Sequence, residues 1–230
     1  MDIRTLPEHE RAIYNNLSSR YSLHFEPFKI NGKTIRVLQV SDLEELLDGK
    51  DPFEDVSQFP FWARIWESSV VLAHVLAAAP ERQNHGRLLA LGSCLSVPGL
   101  AAAQAGFNVV LSDYEETVLD FQRVSSAASG LEGVESINLD WLDPPELGAF
   151  DVIAGAEILF KEEFLDPLLD LCHNYLKPEG TIYLSHDVRR KCLPLFLERA
   201  QESFHIGSKK QTISRNGVTS DILVNRLKRK

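Results

Sequence analysis

Residues Arg87–Glu116 combine small, apolar and acidic residues in the order that a nucleotide-binding βαβ unit requires. An apolar run ends at Gly92, Pro98 opens a small-residue helix that stops at Gly106, and a second apolar run ends at Asp113. Proline near the start of a helix and glycine just past its end are the usual terminal signals. An acidic residue about 20 positions after the first turn is where such units bind a ribose hydroxyl. The stretch therefore predicts a nucleoside site with Asp113 as its carboxylate.

The composition excludes several classes of protein. The chain has 230 residues and a formal net charge of −9, which argues against non-specific binding to nucleic acid or to an anionic membrane. No apolar run approaches the ~20 residues that span a bilayer, and the charged start MDIRTLPEHE lacks the apolar core of a secretory leader. The cysteines Cys94, Cys172 and Cys192 lie far apart, without metal-ligand or disulfide spacing. These features predict a cytoplasmic protein of one main domain with no metal, and they leave its oligomeric state open.

Strand-like and helix-like patterns alternate from residue 87 to residue 203, which predicts an α/β fold with a mostly parallel sheet and helices on both faces. A long helix is predicted over Trp62–Ala79, and an antiparallel hairpin around Asn216-Gly217 closes the chain. Another hairpin is predicted around Asn31-Gly32, behind a helix over 7–21. Residues 1–60 are therefore predicted to be an N-terminal extension of helix, hairpin and loop, packed on a core domain over 61–230.

Several separated pieces of the chain together resemble one enzyme family. They follow in the order that the family has: FWARIW at 61–66, the LG and VPGL frame within 91–100, SDYE at 112–115, DW at 140–141, and FDVI with GAEILF within 150–160. Over about residues 59–190 the chain resembles the seven-stranded, S-adenosylmethionine-dependent methyltransferases, and within them the family-16 branch that includes many protein-lysine methyltransferases. The resemblance implies a doubly wound, Rossmann-like sheet of seven strands and S-adenosyl-L-methionine as cofactor.

The resemblance assigns the cofactor to residues that follow the strands. Asp113 would accept hydrogen bonds from both ribose hydroxyls, although an aspartate at this position also caps the turn that follows it. Asp140 would accept from the adenine amino group, while Trp141 or Tyr114 lies against the adenine ring. Trp62 would cover the methionine end of the cofactor. Packing in the core is the alternative role for both tryptophans.

The segment Glu157–Phe160 matches the position of the family's acceptor signature, in which tyrosine follows an acidic residue by three positions. The resemblance implies that Glu157 orients an incoming lysine amine and that Phe160 holds the amine or its methylated form by a cation–π contact. The lysine must lose a proton before it attacks, which costs about 4–5 kcal/mol at neutral pH. A negative Glu157 raises that cost, so it is predicted to position the amine rather than to act as a strong base. The alternative is a strand-end glutamate beside a core phenylalanine.

The first loop departs from the family's glycine-rich pattern. Ala90 stands where the family has an acidic residue, and Cys94 and Ser96 stand where it has glycines. Glycine suits these positions because the backbone turns sharply and approaches the ligand without a Cβ atom. A residue with a side chain is expected to cost about 1–3 kcal/mol there. Gly92, Ser93 and Cys94 are the predicted cofactor-binding residues of the loop, and the serine hydroxyls offer hydrogen bonds for a rearranged loop.

The sequence therefore predicts an S-adenosylmethionine-dependent methyltransferase that acts on a protein side chain, with lysine favoured, by direct in-line transfer. A protein substrate is the predicted partner. Two alternatives stay open. One is a catalytically silent protein that keeps the fold as a binding module, which the loop departures favour, and the other is a methyltransferase with a small-molecule acceptor.

Overall fold

The computed structural model describes residues 2–47, 59–215 and 217–230 of the chain. None of the described helices is long and apolar enough to cross a membrane. In chain order the helices and strands are α1 (Glu8–Ser18), β1 (Leu23–Ile30), β2 (Lys33–Val40), α2 (Glu44–Leu47), α3 (Glu67–Ala78), β3 (Arg87–Leu91), α4 (Val97–Ala105), β4 (Asn108–Asp113), α5 (Glu116–Ala128), β5 (Val134–Asn138), β6 (Phe150–Ala156), α6 (Leu165–Tyr175), β7 (Leu176–Asp187), α7 (Cys192–Ala200), β8 (Phe204–Arg215) and β9 (Val218–Arg229).

A seven-stranded sheet forms the centre of the fold, with the strand order β5-β4-β3-β6-β7-β9-β8. The strands from β3 to β7 pair in parallel, whereas β9 runs antiparallel to both β7 and β8. The chain moves outward from β3 to β5 and then returns to β6 on the other side of β3, which creates a switch point between β3 and β6. The predicted α/β fold, a mostly parallel sheet with a closing hairpin, is confirmed.

The central strands are apolar along their length because helices cover both of their faces. In β3 every side chain from Leu88 to Leu91 is buried. One apolar cluster joins β3 to helices α3, α4 and α5 through residues such as Leu88 and Phe121. A second cluster joins the sheet to α6 and α7 through residues such as Ile153 and Phe196. The two clusters hold the strands rigidly, so the loops at the strand ends start from fixed positions.

The N-terminal elements share the first of these clusters. Strands β1 and β2 form the predicted antiparallel hairpin around Asn31-Gly32. Leu17 and Ile35 are fully buried in the cluster, and the amide of Leu38 donates to Oγ of Ser125 on α5 at 2.9 Å. Residues of this hairpin therefore pack on the main sheet's helices. The division of the chain at residue 60 stays a prediction, and most of the predicted loop, residues 48–58, lies outside the described residues.

The helix predicted over Trp62–Ala79 is wrong at its start. A single 3₁₀ turn covers Phe61–Ala63, the backbone is extended at Arg64 and Trp66, and α3 begins only at Glu67. This extended stretch brings residues 64–66 against the loop that follows β3. The break in the helix therefore contributes directly to the candidate site.

We expect the Gly99→Val variant to be destabilised, because Gly99 of α4 packs directly on β4. A Cβ atom there would overlap Cδ2 of Leu111, a fully buried side chain in a packed core. Overpacking of this kind lowers the free energy of unfolding by about 1–3 kcal/mol, which urea denaturation would measure. Gly207→Val on β8 is the matched control, since a Cβ atom at Gly207 meets nothing within 4 Å. Equal effects of the two substitutions would contradict the prediction.

Candidate functional site

The candidate site lies at the carboxyl edge of the parallel strands, beside the switch point between β3 and β6. In open α/β sheets, ligands bind in the crevice at this edge. The loop after β3, the end of β4, the segment after β5 and the segment after β6 all meet there. These segments carry nine of the predicted site residues: Gly92, Ser93, Cys94, Asp113, Tyr114, Asp140, Trp141, Glu157 and Phe160.

The loop after β3 keeps the backbone of a glycine-rich turn although two of the glycines are replaced. Gly92 has a φ of 50°, Cys94 a φ of 47° and Ser96 a φ of 63°, all in the left-handed region. That region costs a residue with a Cβ atom about 1–2 kcal/mol. The expectation that these positions require a glycine-like backbone is confirmed, and the loop therefore stores strain at Cys94 and Ser96.

Side-chain hydrogen bonds hold this strained backbone in place. Nε2 of Gln122, a fully buried residue of α5, donates to Oγ of Ser93 and to the carbonyl of Cys94, both at 3.0 Å. Oγ of Ser93 donates to the carbonyl of Ser112 at 3.0 Å, and the amide of Cys94 donates to Oδ2 of Asp113 at 2.8 Å. The hydroxyl of Ser93 therefore fixes the loop to β4, and its contact with the cofactor stays a prediction.

Asp113 lies at the end of β4 and is only 9% exposed. Burial raises the pKa of its carboxyl, and the amides of Cys94, Glu115 and Tyr114 oppose this shift by hydrogen bonding to the charged form. Each carboxylate oxygen can accept two hydrogen bonds. Asp113 therefore caps the turn and still has the capacity to accept from ribose hydroxyls, so the two roles weighed from the sequence are compatible.

Trp141 packs directly on the backbone of Gly92. A Cβ atom at Gly92 would lie 3.1 Å from Cζ2 of Trp141 and 3.2 Å from Cγ2 of Ile158, which is tighter than ordinary contact. The indole ring also lies next to the rings of Phe160 and Phe164, with centroid separations of 6.2 and 5.6 Å. One aromatic cluster thus connects a predicted cofactor residue, Trp141, with a predicted acceptor residue, Phe160.

Tyr114 and Asp140 lie at the outer part of the same edge. Tyr114 is 67% exposed and directly follows the buried Asp113, so its ring is available to a ligand. Oδ1 of Asp140 accepts from the amide of Leu142 at 2.9 Å in a local turn. The second carboxylate oxygen of Asp140 can accept from an adenine amino group without breaking that turn.

Trp62 is partly buried and is not among the described residues that line the cavity beside the loop after β3, so its contact with the cofactor stays a prediction. Its ring packs against Phe121, with centroids 5.2 Å apart, and it joins the first apolar cluster. Arg64 and Trp66 line the site instead. The sequence indicated Trp66 as the second tryptophan of FWARIW. Which of the two tryptophans lies beside the loop depends on the extended backbone before α3, which the sequence did not predict.

A small cavity separates the loop after β3 from residues 64–66 and from residues 154–156. It holds about 30 Å³, whereas pockets for drug-sized ligands occupy roughly 300–1,000 Å³. The carboxylate of Asp113 and the rings of Tyr114 and Trp141 fit the ribose and adenine of S-adenosylmethionine. The methionine end requires this cavity to widen.

A wider cleft of about 560 Å³ opens beside the small cavity. Arg64 and Trp66 line both spaces, so the two are adjacent. Glu157 and Phe160 line the wider cleft, and Phe160 is 48% exposed. The structure therefore places both predicted acceptor residues on one cleft, next to the predicted cofactor loop.

Glu157 is held by donors of the chain itself. Its Oε1 accepts from the amide of Asp187 at 2.7 Å, and its Oε2 accepts from Nε and Nη2 of Arg190 at 2.8 and 2.5 Å. The side chain of Glu157 is 9% exposed and its φ is 57°. A left-handed backbone at a residue with a side chain is a form of strain that gathers at functional sites. Glu157 is thus part of a half-buried ion pair, a feature that the sequence analysis missed.

His186 supports the segment that carries Glu157 and Phe160. Its Nε2 accepts from the amide of Leu159 at 3.3 Å. The side chain is fully buried, and burial, together with the charge of Arg190, lowers its pKa to about 3. The imidazole is therefore neutral at pH 7, with its proton on Nδ1 because Nε2 accepts.

The fold and this site define a class, the seven-stranded methyltransferases that use S-adenosylmethionine. The family model described as lysine methyltransferase matches residues 53–203. That match covers more than half of the chain, so the chain belongs to the lysine methyltransferase family. The family and the cofactor that the sequence predicted are both confirmed.

Two relatives illustrate the range of the family. Protein N-lysine methyltransferase METTL21A from Danio rerio is 27% identical over 151 residues, which are 63% of this chain and 69% of that protein. Histone-arginine methyltransferase METTL23 from Mus musculus is 32% identical over 133 residues, which are 54% of this chain and 53% of that protein. The chain thus spans about half the length of the METTL23 protein that it matches.

Solved structures share the fold at low sequence identity. The ribosomal protein L11 methylase of Lactobacillus delbrueckii subsp. bulgaricus has a TM-score of 0.59 and 20% identity, over 74% of this chain and 83% of that one. The T. thermophilus 16S rRNA N2 G1207 methyltransferase, solved in complex with AdoMet and guanosine, has a TM-score of 0.60 and 14% identity, over 90% and 51%. At these identities the likeness shows the fold alone.

We expect the Cys94→Gly variant to be more stable than the Cys94→Ala variant. Both substitutions remove the same thiol, but only glycine removes the Cβ atom that a φ of 47° penalises. The difference in the free energy of unfolding should be about 0.5–1 kcal/mol after the greater flexibility of unfolded glycine is subtracted. Urea denaturation of the two variants measures it, and identical midpoints would show that the loop is not strained at Cys94.

We expect His186 to weaken the fold as the pH falls. Its pKa is 6.5 in the unfolded chain and about 3 in the folded protein, so the unfolded state binds more protons between these values. The free energy of unfolding should then fall by up to about 1.4 kcal/mol for each pH unit within that window. The His186→Gln variant keeps an acceptor for the Leu159 amide but does not titrate. Urea denaturation at pH 7, 6, 5 and 4 should give a shallower slope for this variant, and parallel curves would refute the expectation.

Proposed function

We propose that the protein is an S-adenosylmethionine-dependent methyltransferase that modifies a protein side chain, with lysine favoured. The observation that carries the proposal is the adjacency of two spaces, the small cavity at the loop after β3 and the wide cleft beside Glu157, which share Arg64 and Trp66. A donor in the first space and an acceptor in the second would meet at that shared wall. Membership of the lysine methyltransferase family supports the same reaction.

The residues that would hold the cofactor are those at the ends of β3, β4 and β5. When it is bound, the cofactor supplies an electrophilic methyl group on its sulfonium. Asp113 would accept from the ribose hydroxyls, Asp140 from the adenine amino group, and the rings of Tyr114 and Trp141 would flank the adenine. Gly92 would let the Trp141 ring pack closely on the loop, because a Cβ atom there would lie 3.1 Å from the indole.

The acceptor amine would enter by the wide cleft, which the aromatic residues Phe160 and Trp66 line. These rings attract a cationic or methylated amine and also exclude water. Partial desolvation favours the neutral amine that is able to attack. Glu157 already accepts from Arg190 and from the amide of Asp187, so its role is to orient groups in the cleft and not to take up the proton.

The setting that we propose is a cytoplasmic one, with a protein rather than a nucleic acid as substrate. A net charge of −9 disfavours a polyanionic partner and tolerates a basic protein. The second candidate function is a catalytically silent protein that keeps the fold to bind a partner. The small volume of the cavity and the strain at Cys94 and Ser96 favour this second candidate.

We expect the Asp113→Asn variant to lose at least tenfold in affinity for S-adenosylhomocysteine, measured by isothermal titration calorimetry. The amide keeps the shape of the side chain but loses the charge-assisted hydrogen bonds, which are worth about 1.5–3 kcal/mol each. Asp170→Asn on the exposed face of α6 is the matched control and should bind as the wild type does. Unchanged affinity in Asp113→Asn would remove this residue from the cofactor site.

Transfer of the methyl group itself is tested with tritiated S-adenosylmethionine and a lysate as the source of acceptor proteins. If the protein is a methyltransferase, a protein in the lysate should become labelled and should yield methyl-lysine on hydrolysis. The Asp113→Asn variant should transfer no label. Tight binding of S-adenosylhomocysteine without label in any protein would favour the silent binding protein. Absence of binding at millimolar ligand would reject the enzyme and leave a protein that keeps the fold to bind another partner.

A further inference from the structure

We propose that Arg190 selects acceptor lysines that have an acidic residue close beside them, through an exchange of ion pairs at Glu157. This inference rests on the proposed function, because it concerns the acceptor cleft of a methyltransferase. It names the class of substrate, a lysine in an acidic sequence context, and a specificity-determining residue, Arg190.

The first step of the argument is that the cleft already contains its own cation. Arg190 donates twice to Oε2 of Glu157, while the amide of Asp187 occupies Oε1. The guanidinium of Arg190 therefore occupies the position that a lysine ammonium would take beside this carboxylate. Oε2 already accepts two hydrogen bonds and the side chain of Glu157 is only 9% exposed, so the ammonium can pair with this oxygen only if Arg190 moves aside.

The second step is the cost of moving Arg190. The side chain of Glu157 is 9% exposed and that of Arg190 is 30% exposed, so both charges are poorly hydrated. When one partner of such a pair is withdrawn, the other charge loses its compensation, and this penalty exceeds that of an exposed pair. A lysine alone would exchange one cation for another at Glu157, and the carboxylate that remains near Arg190, that of Asp187, already pairs with Arg189.

The third step is that an acidic residue near the lysine removes the penalty. Its carboxylate would receive the guanidinium of Arg190, and arginine binds carboxylates with two parallel hydrogen bonds. One ion pair is then replaced by two, and no charge is left uncompensated. The exchange requires both charges on the same acceptor, a cation for Glu157 and an anion for Arg190.

The charge of the cleft favours the same partner. Of its described lining residues, four are cationic and three are acidic, whereas the whole chain has 24 Lys and Arg against 33 Asp and Glu. Three of these cations already pair with the three acids, so the lining has an excess of one positive charge, whereas the chain as a whole has a net charge of −9. The cleft is therefore less unfavourable to an acidic segment than the rest of the surface is. The residues in question are the cations Arg64, Arg189, Arg190 and Lys191 and the acids Glu67, Glu157 and Asp187.

The test compares fluorescein-labelled peptides that hold one central lysine among glycine, alanine and serine. One peptide has glutamate within two positions on either side of the lysine, a second has glutamine there, and a third has the glutamates but an acetylated lysine. Fluorescence anisotropy with saturating S-adenosylhomocysteine measures their affinities. We expect the first peptide to bind wild-type protein at least tenfold more tightly than either of the others.

The preference for glutamate should fall below twofold in the Arg190→Gln variant. Arg199→Gln is the matched control. It also removes one arginine charge, but Arg199 lies on α7 and pairs with Glu162 and Asp166, which are outside the cleft. The control should keep the preference. Arg190→Lys, which retains the charge, should keep at least a threefold preference, and unchanged affinity for S-adenosylhomocysteine reports that each variant is folded.

Equal affinity for the glutamate and glutamine peptides in the wild type, or a preference that survives Arg190→Gln, overturns the inference. Equal binding of the lysine and acetyl-lysine peptides also overturns it, because the exchange requires a cation for Glu157. If the expected preferences are found but tritiated S-adenosylmethionine labels neither these peptides nor any protein, the proposed methyl transfer fails and the selection of acidic partners stands.

Discussion

The site depends on one hydrogen bond, from the amide of Cys94 to the carboxylate of Asp113. It connects the loop after β3 to the end of β4, and it is possible only because the backbone at Gly92, Cys94 and Ser96 is left-handed. In the glycine-rich form of this turn the backbone is relaxed. Here the hydrogen bonds of Ser93 and of the buried Gln122 hold the backbone in the same conformation. Side-chain hydrogen bonds thus stabilise a turn that glycines would adopt without strain.

The acceptor side of the site is organised in a similar way. Glu157 also has a left-handed backbone, and it is held between the amide of Asp187 and the guanidinium of Arg190. His186 fixes the intervening segment from behind through the amide of Leu159. Both halves of the site are therefore strained segments that neighbouring strands and buried polar groups hold in position, which is the usual way in which active sites keep an otherwise costly geometry.

Much of the fold was readable from the sequence because its signals are local. Apolar runs that end in glycine or aspartate mark the parallel strands, and Asn31-Gly32 marks the first hairpin. The start of α3 was misplaced because no proline or glycine within Trp62–Ala79 marks a break. The backbone is nevertheless extended at Arg64 and Trp66, which contact the same small cavity as the loop after β3. Local patterns carry no information about such contacts.

The residues of the site were predictable to the extent that they lie directly after strands. Asp113, Trp141 and Glu157 follow this rule and meet at one edge of the sheet. Arg190 does not, because it reaches Glu157 from a separate loop 33 residues further along the chain. Trp62 lies within a matching motif but is partly buried against Phe121, so its role at the cofactor stays a prediction.

Helix α5 gives the N-terminal hairpin a mechanical connection to the loop. On one turn of this helix Gln122 binds the loop and, three residues later, Ser125 receives the amide of Leu38 from β2. A fluctuation that separates β2 from α5 will therefore also change the position of the loop. In the same way, a ligand that makes the loop more rigid will make local opening of the hairpin less frequent. A fragment that lacks the N-terminal hairpin would lose the contact of β2 with α5, and the loop after β3 would become more mobile.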